Sequence, residues 1–269
     1  MTTADRWLPL LRRACDAAGD AVRDMPPGER RRPVGAGAGG DTTMVVDRAA
    51  EDAVVAVLES GGMPFRLISE EVGEREAGEG GPWIVLDPID GSLNAKRGLP
   101  VFATSIALAE GPAMGDVTLG VVRDHGTGEE WIARRGGGAT VDGAPVRAEG
   151  EPGVLELLLV EGAYPAHVAP AAAALGARVG RLRALGSLAL SLCHAAAGRG
   201  DAIIGLGTGR SIDIAAAQLV AREAGLLVGL PGEDDLPGTT LRLDARFHVL
   251  GARDPGTLAL LAGLLPPPA

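Results

Sequence analysis

The sequence predicts an α+β fold in which helices layer against one mostly antiparallel sheet, with a second sheet behind it. Three observations predict it. Two amphipathic helical segments come first, a run of short strands punctuated by turn residues follows, and strands and helices alternate after about residue 155. With 269 residues, 46% of them apolar, the chain is long enough to bury one large core or two joined ones and too apolar for a disordered chain. The stretch Glu-Gly-Glu-Pro-Gly at 149–153 marks a seam between an N-terminal α+β half, 1–150, and a C-terminal α/β half, 151–269.

Trp7, Leu8, Leu11, Cys15, Ala18 and Val22 recur at helical spacing, so 5–24 reads as an amphipathic helix. Residues 25–40, rich in Gly, Pro and Arg, break every pattern and predict a flexible loop. A second helix is predicted from about 44 to 59, with Val54, Val55, Val57 and Leu58 apolar. Apolar or alternating runs predict strands at 65–69, 83–86, 102–108, 117–123 and 130–134, and Asp142-Gly143 predicts a hairpin turn within 139–145. Beyond the seam come strand 157–160, helix 168–177, strand 181–185, helix 187–198, strand 201–204 and helix 212–224. Two strands near 227 and 249 and a helix near 256–264 finish the chain.

Composition excludes several functions. The formal charge is −10 and no basic stripe exists, which argues against a duplex nucleic acid as partner. The basic cluster Arg30–Arg32 is short and reads as a solvated loop. No apolar stretch approaches the roughly 20 residues of a membrane helix, and the N-terminus lacks the apolar core of a signal peptide, so the expectation is a cytoplasmic protein without a membrane partner. Cys15 and Cys193 form no CxxC pair and sit in apolar helical patterns as buried thiols. The four histidines show neither HxH nor HExxH spacing. An acidic chain that handles an anionic substrate needs bound cations.

The chemistry-bearing segments are acidic. An apolar strand ends in Asp87-Pro-Ile-Asp90-Gly91-Ser92, where Pro88 stops the ladder and Gly91 permits an unusual turn. Two carboxylates three residues apart suit a hard cation such as Mg²⁺, and the N–H groups of Gly91 and Ser92 suit phosphate oxygens. A second apolar strand ends in Glu70-Glu71, Asp47 lies near the start of a helix, and Asp213 opens the helix at 212–224. Each alone has a plain explanation, a surface turn or compensation of a helix dipole; the four together do not. The glycines at 35, 37, 39 and 40 match a dinucleotide fingerprint, but the polar run before them is no strand, so a mobile lid over the acidic site is the better reading.

The segments GDTTMVVD (40–47), SEE (69–71), DPIDGSLN (87–94), SIDIAAA (211–217) and the Gly186-Ser187 helix start within 183–202 resemble the inositol monophosphatase family, the Mg²⁺-dependent, lithium-sensitive phosphomonoesterases. The resemblance covers about 40–250. It implies the layered α/β/α/β/α sugar-phosphatase fold with mixed and antiparallel sheets, a small phosphorylated substrate, two or three Mg²⁺ per subunit and a homodimer. By the same resemblance Glu70, Asp87 and the Ile89 carbonyl match the ligands of one ion, and Asp87, Asp90 and Asp213 those of a second, with a third, looser ion near Glu70 in some members. Asp47 and Ser92, with Glu70, match the groups that activate water, Gly91 and Ser92 match the phosphate cradle, and Asn94, Gly186, Ser187 and Arg210 fall on the substrate side.

This sequence departs from the pattern in places. Ser92 replaces the usual Thr, keeping the hydroxyl and losing the methyl that restricts it. Ile212 replaces a Trp, and the stretch 203–210 lacks the Glu that inositol-specific members carry. Inositol phosphate is thus one candidate beside sugar phosphates, histidinol phosphate and nucleotides with a 3′- or 2′-phosphate, and an idle ligand-binding member is the remaining alternative. Arg183, Arg210 and Lys96, the only lysine, are candidates for a second anionic group.

Overall fold

A computed structural model describes residues 2–40, 42–233 and 235–265. The architecture is the mixed α/β one that the sequence predicts, in five layers. Helices Thr3–Arg23 and Val45–Ser60 pack together on one face of an eight-stranded sheet. Helices Leu188–Ala196 and Ser211–Glu223 fill the space between that sheet and a five-stranded one. Helices Pro165–Leu175 and Pro255–Ala262 cover the far face of the second sheet. The central apolar core draws on both sheets, from Ile68 and Val85 to Ile203 and Val249.

The large sheet runs in the order 144–146, 138–141, 130–134, 117–124, 103–109, 83–90, 65–69, 73–77. Every neighbouring pair is antiparallel except Phe65–Ser69 with Trp83–Asp90, which run parallel. That exception carries functional weight, because it brings the carboxyl ends of two adjacent strands, and the acids that follow them, to one edge. In the second sheet Arg181–Arg183, Leu157–Glu161 and Ala202–Gly205 are parallel, while Leu250–Ala252 and Leu227–Gly229 join antiparallel. Asp142 (φ 49°) and Gly143 (φ 79°) form the hairpin turn that their sequence predicts, both in the left-handed region.

Several elements differ from the sequence reading. The strand beginning at Trp83 does not stop at Leu86; it runs to Asp90 through a bulge. Asp87 faces Ser105 and Asp90 faces Ala103, so Pro88 and Ile89 together oppose Thr104 alone. A bulge tolerates the missing proline donor, and so the strand survives it. A short helix, Ser92–Arg97, follows at once. The edge strand Gly73–Ala77 is not among the strands that the sequence predicts; its charged Glu74, Arg75 and Glu76 protect a sheet edge. The segment 25–40 is not a wholly irregular loop. Pro33–Ala36 pairs antiparallel with Thr42–Met44, and Arg30 and Arg31 donate to the carbonyls of Ala95 and Lys96 at the end of the short helix rather than only to solvent. Among the described residues no helix is long and apolar enough to cross a membrane.

Candidate metal and phosphate site

Three elements deliver four acids to one cavity of about 590 Å³, whose walls include Glu70, Asp87, Asp90 and Asp213. Glu70 follows strand Phe65–Ser69, Asp87 and Asp90 lie on the bulged end of the neighbouring parallel strand, and Asp213 lies in the first turn of Ser211–Glu223. The Ile89, Gly91 and Ser92 positions line the same cavity. Gly91 takes φ 92°, and a Cβ there would sit 3.0 Å from the carbonyl oxygens of both Val101 and Gly186, so only glycine lets the chain turn here.

Each acid is aimed by bonds at its back. Asp87 Oδ1 accepts the Ile89 N–H at 2.9 Å. Asp90 accepts Ser187 Oγ–H at 2.5 Å and the N–H groups of Leu188 (3.2 Å) and Ala189 (2.6 Å), at the start of helix Leu188–Ala196. Asp213 accepts the Arg210 N–H at 2.7 Å. Glu70 forms an ion pair with Arg210.

Burial raises all four carboxyls, and neighbouring acids add to it at Glu70, Asp87 and Asp90. Glu70 is pushed up to about 8 by burial and then by Asp213 and Glu71. Asp90 is pushed up to about 7 by burial and then by Asp213. Asp87 rises well above the usual range through burial, Asp90, Glu70 and Asp213, and Asp213 rises through burial. Mutually repelling carboxylates held together in a cavity are what a polyvalent cation relieves. Among the described residues no three such side chains close to coordination distance about one point. Glu70 is turned to Arg210 and both Asp90 oxygens accept hydrogen bonds. The donor set is nonetheless all oxygen, as a hard cation requires. Asp47 adds to this fit. It is 5% exposed, and its Oδ1 is buried with no hydrogen-bond partner.

Asp47 and Ser92, expected as a pair, are placed differently. Asp47 Oδ2 accepts the Met44 N–H at 3.2 Å and lies 3.0 Å from Lys96 Nζ, while Ser92 lines the cavity. Lys96 therefore neutralises Asp47 and is not turned to a second anionic group. Arg210, likewise, is paired with Glu70, and exposed Arg183 donates to the Leu182 carbonyl. Asn94 borders an adjoining cavity of about 440 Å³, but its amide donates to the carbonyls of Val101 (2.8 Å) and Leu185 (2.7 Å). Gly186 lines both cavities, and Ser187 is buried against Asp90. The glycine segment is pinned as well as placed over the acids: Ala38 and Gly39 N–H donate to the carbonyls of Glu71 (3.3 Å) and Glu70 (2.9 Å). It is the tip of a hairpin, not the strand–turn–helix of a dinucleotide site. Asp41, part of the quoted GDTTMVVD segment, lies outside the described residues.

Three acids support the site, of which the sequence reading gave Glu51 and Glu161 no role and named Glu71 only as Glu70's neighbour. Glu51, fully buried, accepts from Ser69 Oγ (2.8 Å), Glu71 N (3.0 Å) and Val72 N (2.7 Å), fixing the turn that presents Glu70. Glu71 accepts a hydrogen bond from Thr43. Glu161 accepts from Leu185 N (3.0 Å), Gly186 N (3.0 Å) and Ser191 Oγ (2.6 Å), holding the loop that buttresses Asp90; burial pushes it up to about 6. For Glu51 a signal existed, an acid one helical turn after Asp47 on an otherwise apolar face.

Comparison with known proteins gives the class to which this fold and site belong. The chain belongs to the inositol monophosphatase family, whose family model matches residues 4–260. It is 34% identical over 227 residues, 80% of each chain, to a fructose-1,6-bisphosphatase/inositol-1-monophosphatase of Methanothermobacter thermautotrophicus. It is also 34% identical over 190 residues, 68% of this chain and 69% of the relative, to the Nus factor SuhB of Pasteurella multocida. The crystal structure of an inositol monophosphatase-fructose 1,6 bisphosphatase superposes with a TM-score of 0.81 at 23% identity, covering 96% of this chain and 99% of the other. The protein is thus a phosphatase, a hydrolase.

Proposed function

We propose that the protein hydrolyses a small phosphomonoester with the help of Mg²⁺ held by Glu70, Asp87, the Ile89 carbonyl, Asp90 and Asp213. The observation that carries this reading is the delivery of four acids from three elements into one cavity, where burial raises all four carboxyls. When bound, such ions lower the pKa of a coordinated water and neutralise charge on the departing alkoxide.

The chain's own residues do the rest. Gly91 and Ser92, at the first turn of Ser92–Arg97, present N–H groups without intrahelical partners to the phosphate oxygens. Ser92 Oγ and Asp47, whose Oδ1 has no hydrogen-bond partner, orient the attacking water, and Asp47, paired with Lys96, takes its proton. Positioning and charge dominate phosphate transfer, so no nucleophilic side chain is needed. The 440 Å³ cavity takes the alcohol. Its lining includes Leu93, Tyr164, Leu185 and Leu188 and, among the described residues, no lysine or arginine. That favours a neutral leaving group over one with a second phosphate.

The test is phosphate release, with Mg²⁺ and again with EDTA, from inositol 1-phosphate, sugar monophosphates, histidinol phosphate, fructose 1,6-bisphosphate, adenosine 3′,5′-bisphosphate and NADP. EDTA-sensitive release, fastest from a monophosphate, is the expected result. Release unaffected by EDTA contradicts the metal reading, and a preference for a bisphosphate contradicts the reading of the cavity.

A further inference from the structure

The bulge that carries Asp87, Ile89 and Asp90 poses a local problem. Pro88 and Ile89 face one residue, Thr104, so the regular ladder is interrupted beside the Pro88 carbonyl. Thr104 pairs through its backbone with Arg123 on the other side. Its side chain supplies a donor there, since Thr104 Oγ1–H reaches the Pro88 carbonyl at 2.9 Å, fully buried.

A hydroxyl has one proton. With it given to Pro88, Oγ1 can only accept from its other partner, His125 Nε2, 2.8 Å away. His125 therefore carries its proton on Nε2 and leaves Nδ1 bare. Nδ1 faces helix Thr3–Arg23 at Gly19, where a Cβ would lie 2.6 Å from it. The ring is held further by Phe102, at 5.4 Å between centroids, and the His125 N–H donates to the Phe102 carbonyl at 3.0 Å. Burial keeps this imidazole neutral, its pKa pushed down to about 4. The result is a one-way chain of hydrogen bonds, imidazole to hydroxyl to carbonyl, ending on the back of the peptide that precedes Ile89.

We infer that Thr104 and His125 form a positioning pair that holds the Pro88–Ile89 bulge in the conformation in which Asp87, the Ile89 carbonyl and Asp90 bind metal. Neither residue touches the ions or the substrate. They act through the Pro88 peptide, as hydrogen-bond partners behind metal ligands do, where mutation typically costs about 10- to 100-fold in metal affinity. The inference rests on the metal reading proposed above and adds residues to it.

The test is calorimetric titration of Mg²⁺ into the substrate-free protein, with thermal melting of every variant and kcat at saturating Mg²⁺. Thr104→Val keeps the shape and removes the donor; Thr104→Ser restores it; His125→Phe removes the N–H while keeping a ring. The expected result is Mg²⁺ affinity lowered about 10-fold or more in Thr104→Val, lowered to a smaller extent in His125→Phe, and near wild type in Thr104→Ser, with kcat at saturation much less affected. Should Thr104→Val fail to fold, Thr104→Ala carries the same comparison. Equal affinity in wild type and the folded donor-less variant overturns the positioning role while leaving the metal site standing. Absence of Mg²⁺ binding in the wild type overturns the metal reading, and this inference with it.

Discussion

Gly19→Ala is a substitution for which helix propensity and the structure predict opposite signs. Gly19 sits inside helix Thr3–Arg23, and alanine for glycine in a helix interior ordinarily stabilises by about 1 kcal/mol. Here the new Cβ would lie 2.6 Å from Nδ1 and 2.8 Å from Cε1 of His125. The ring cannot retreat freely, because Thr104 holds its far nitrogen at 2.8 Å and Phe102 lies against its face. Overpacking costs about 1–3 kcal/mol, and loss of the Nε2–Thr104 bond about 1 kcal/mol more. After the propensity gain the net is destabilisation of about 1–3 kcal/mol. Thermal and urea unfolding measure it, at about 2–4 °C of melting temperature for each kcal/mol. Gly28→Ala is the control, since nothing lies within 4 Å of a Cβ there. A Gly19→Ala protein that melts above wild type would refute the packing of His125 and the relay built on it.

Three further predictions follow from the same geometry. Ser92→Ala lowers kcat more than it changes KM, because Ser92 orients water and its N–H remains for phosphate; steady-state kinetics check it, and an unchanged kcat counts against the role. Lys96→Met leaves the buried Asp47 without its charge partner and destabilises by about 3 kcal/mol, read as a lowered melting temperature that Lys96→Arg partly restores; an unchanged melting temperature contradicts the pairing. His125 is pushed down to about 4 in the fold by burial, with Arg123 and Arg23 opposing its charge and Asp124 and Asp20 favouring it. The unfolded chain takes up that proton below about 6.5 and the fold does not until about 4. Wild type therefore loses stability relative to His125→Phe, by about 2–3 kcal/mol, as pH falls from 7 to 4.5. Urea unfolding at the two pH values measures the gap, and a gap independent of pH contradicts the buried neutral imidazole.

Much of this molecule was legible in its sequence because the signals were local. Alternation and apolar runs marked the strands from 65 to 134, and the Asp142-Gly143 turn followed from its dihedral demands alone. The acids announced themselves by standing at the ends of apolar runs. What the sequence did not reveal depends on partners far along the chain. Pro88 reads as a strand end until Thr104 is known to face it across a bulge. Gly73–Ala77 carries no strand pattern of its own and is understood only as an edge, where charge is tolerated. Glu161 and Asp90 serve one loop across 71 residues of sequence, through Gly186 and Ser187. Lys96 and Arg210 had the composition of substrate-binding cations, and only the fold assigns them to Asp47 and Glu70.

The most direct test of the central claim is anomalous diffraction from crystals grown with Mn²⁺, a scatterer that takes oxygen sites suited to Mg²⁺, in the presence of inorganic phosphate. The account predicts two anomalous peaks, with Asp87 shared between them, one completed by Glu70 and the Ile89 carbonyl and the other by Asp90 and Asp213, and phosphate against the Gly91 and Ser92 amides. Peaks elsewhere, or none among these carboxylates at saturating Mn²⁺, would contradict it.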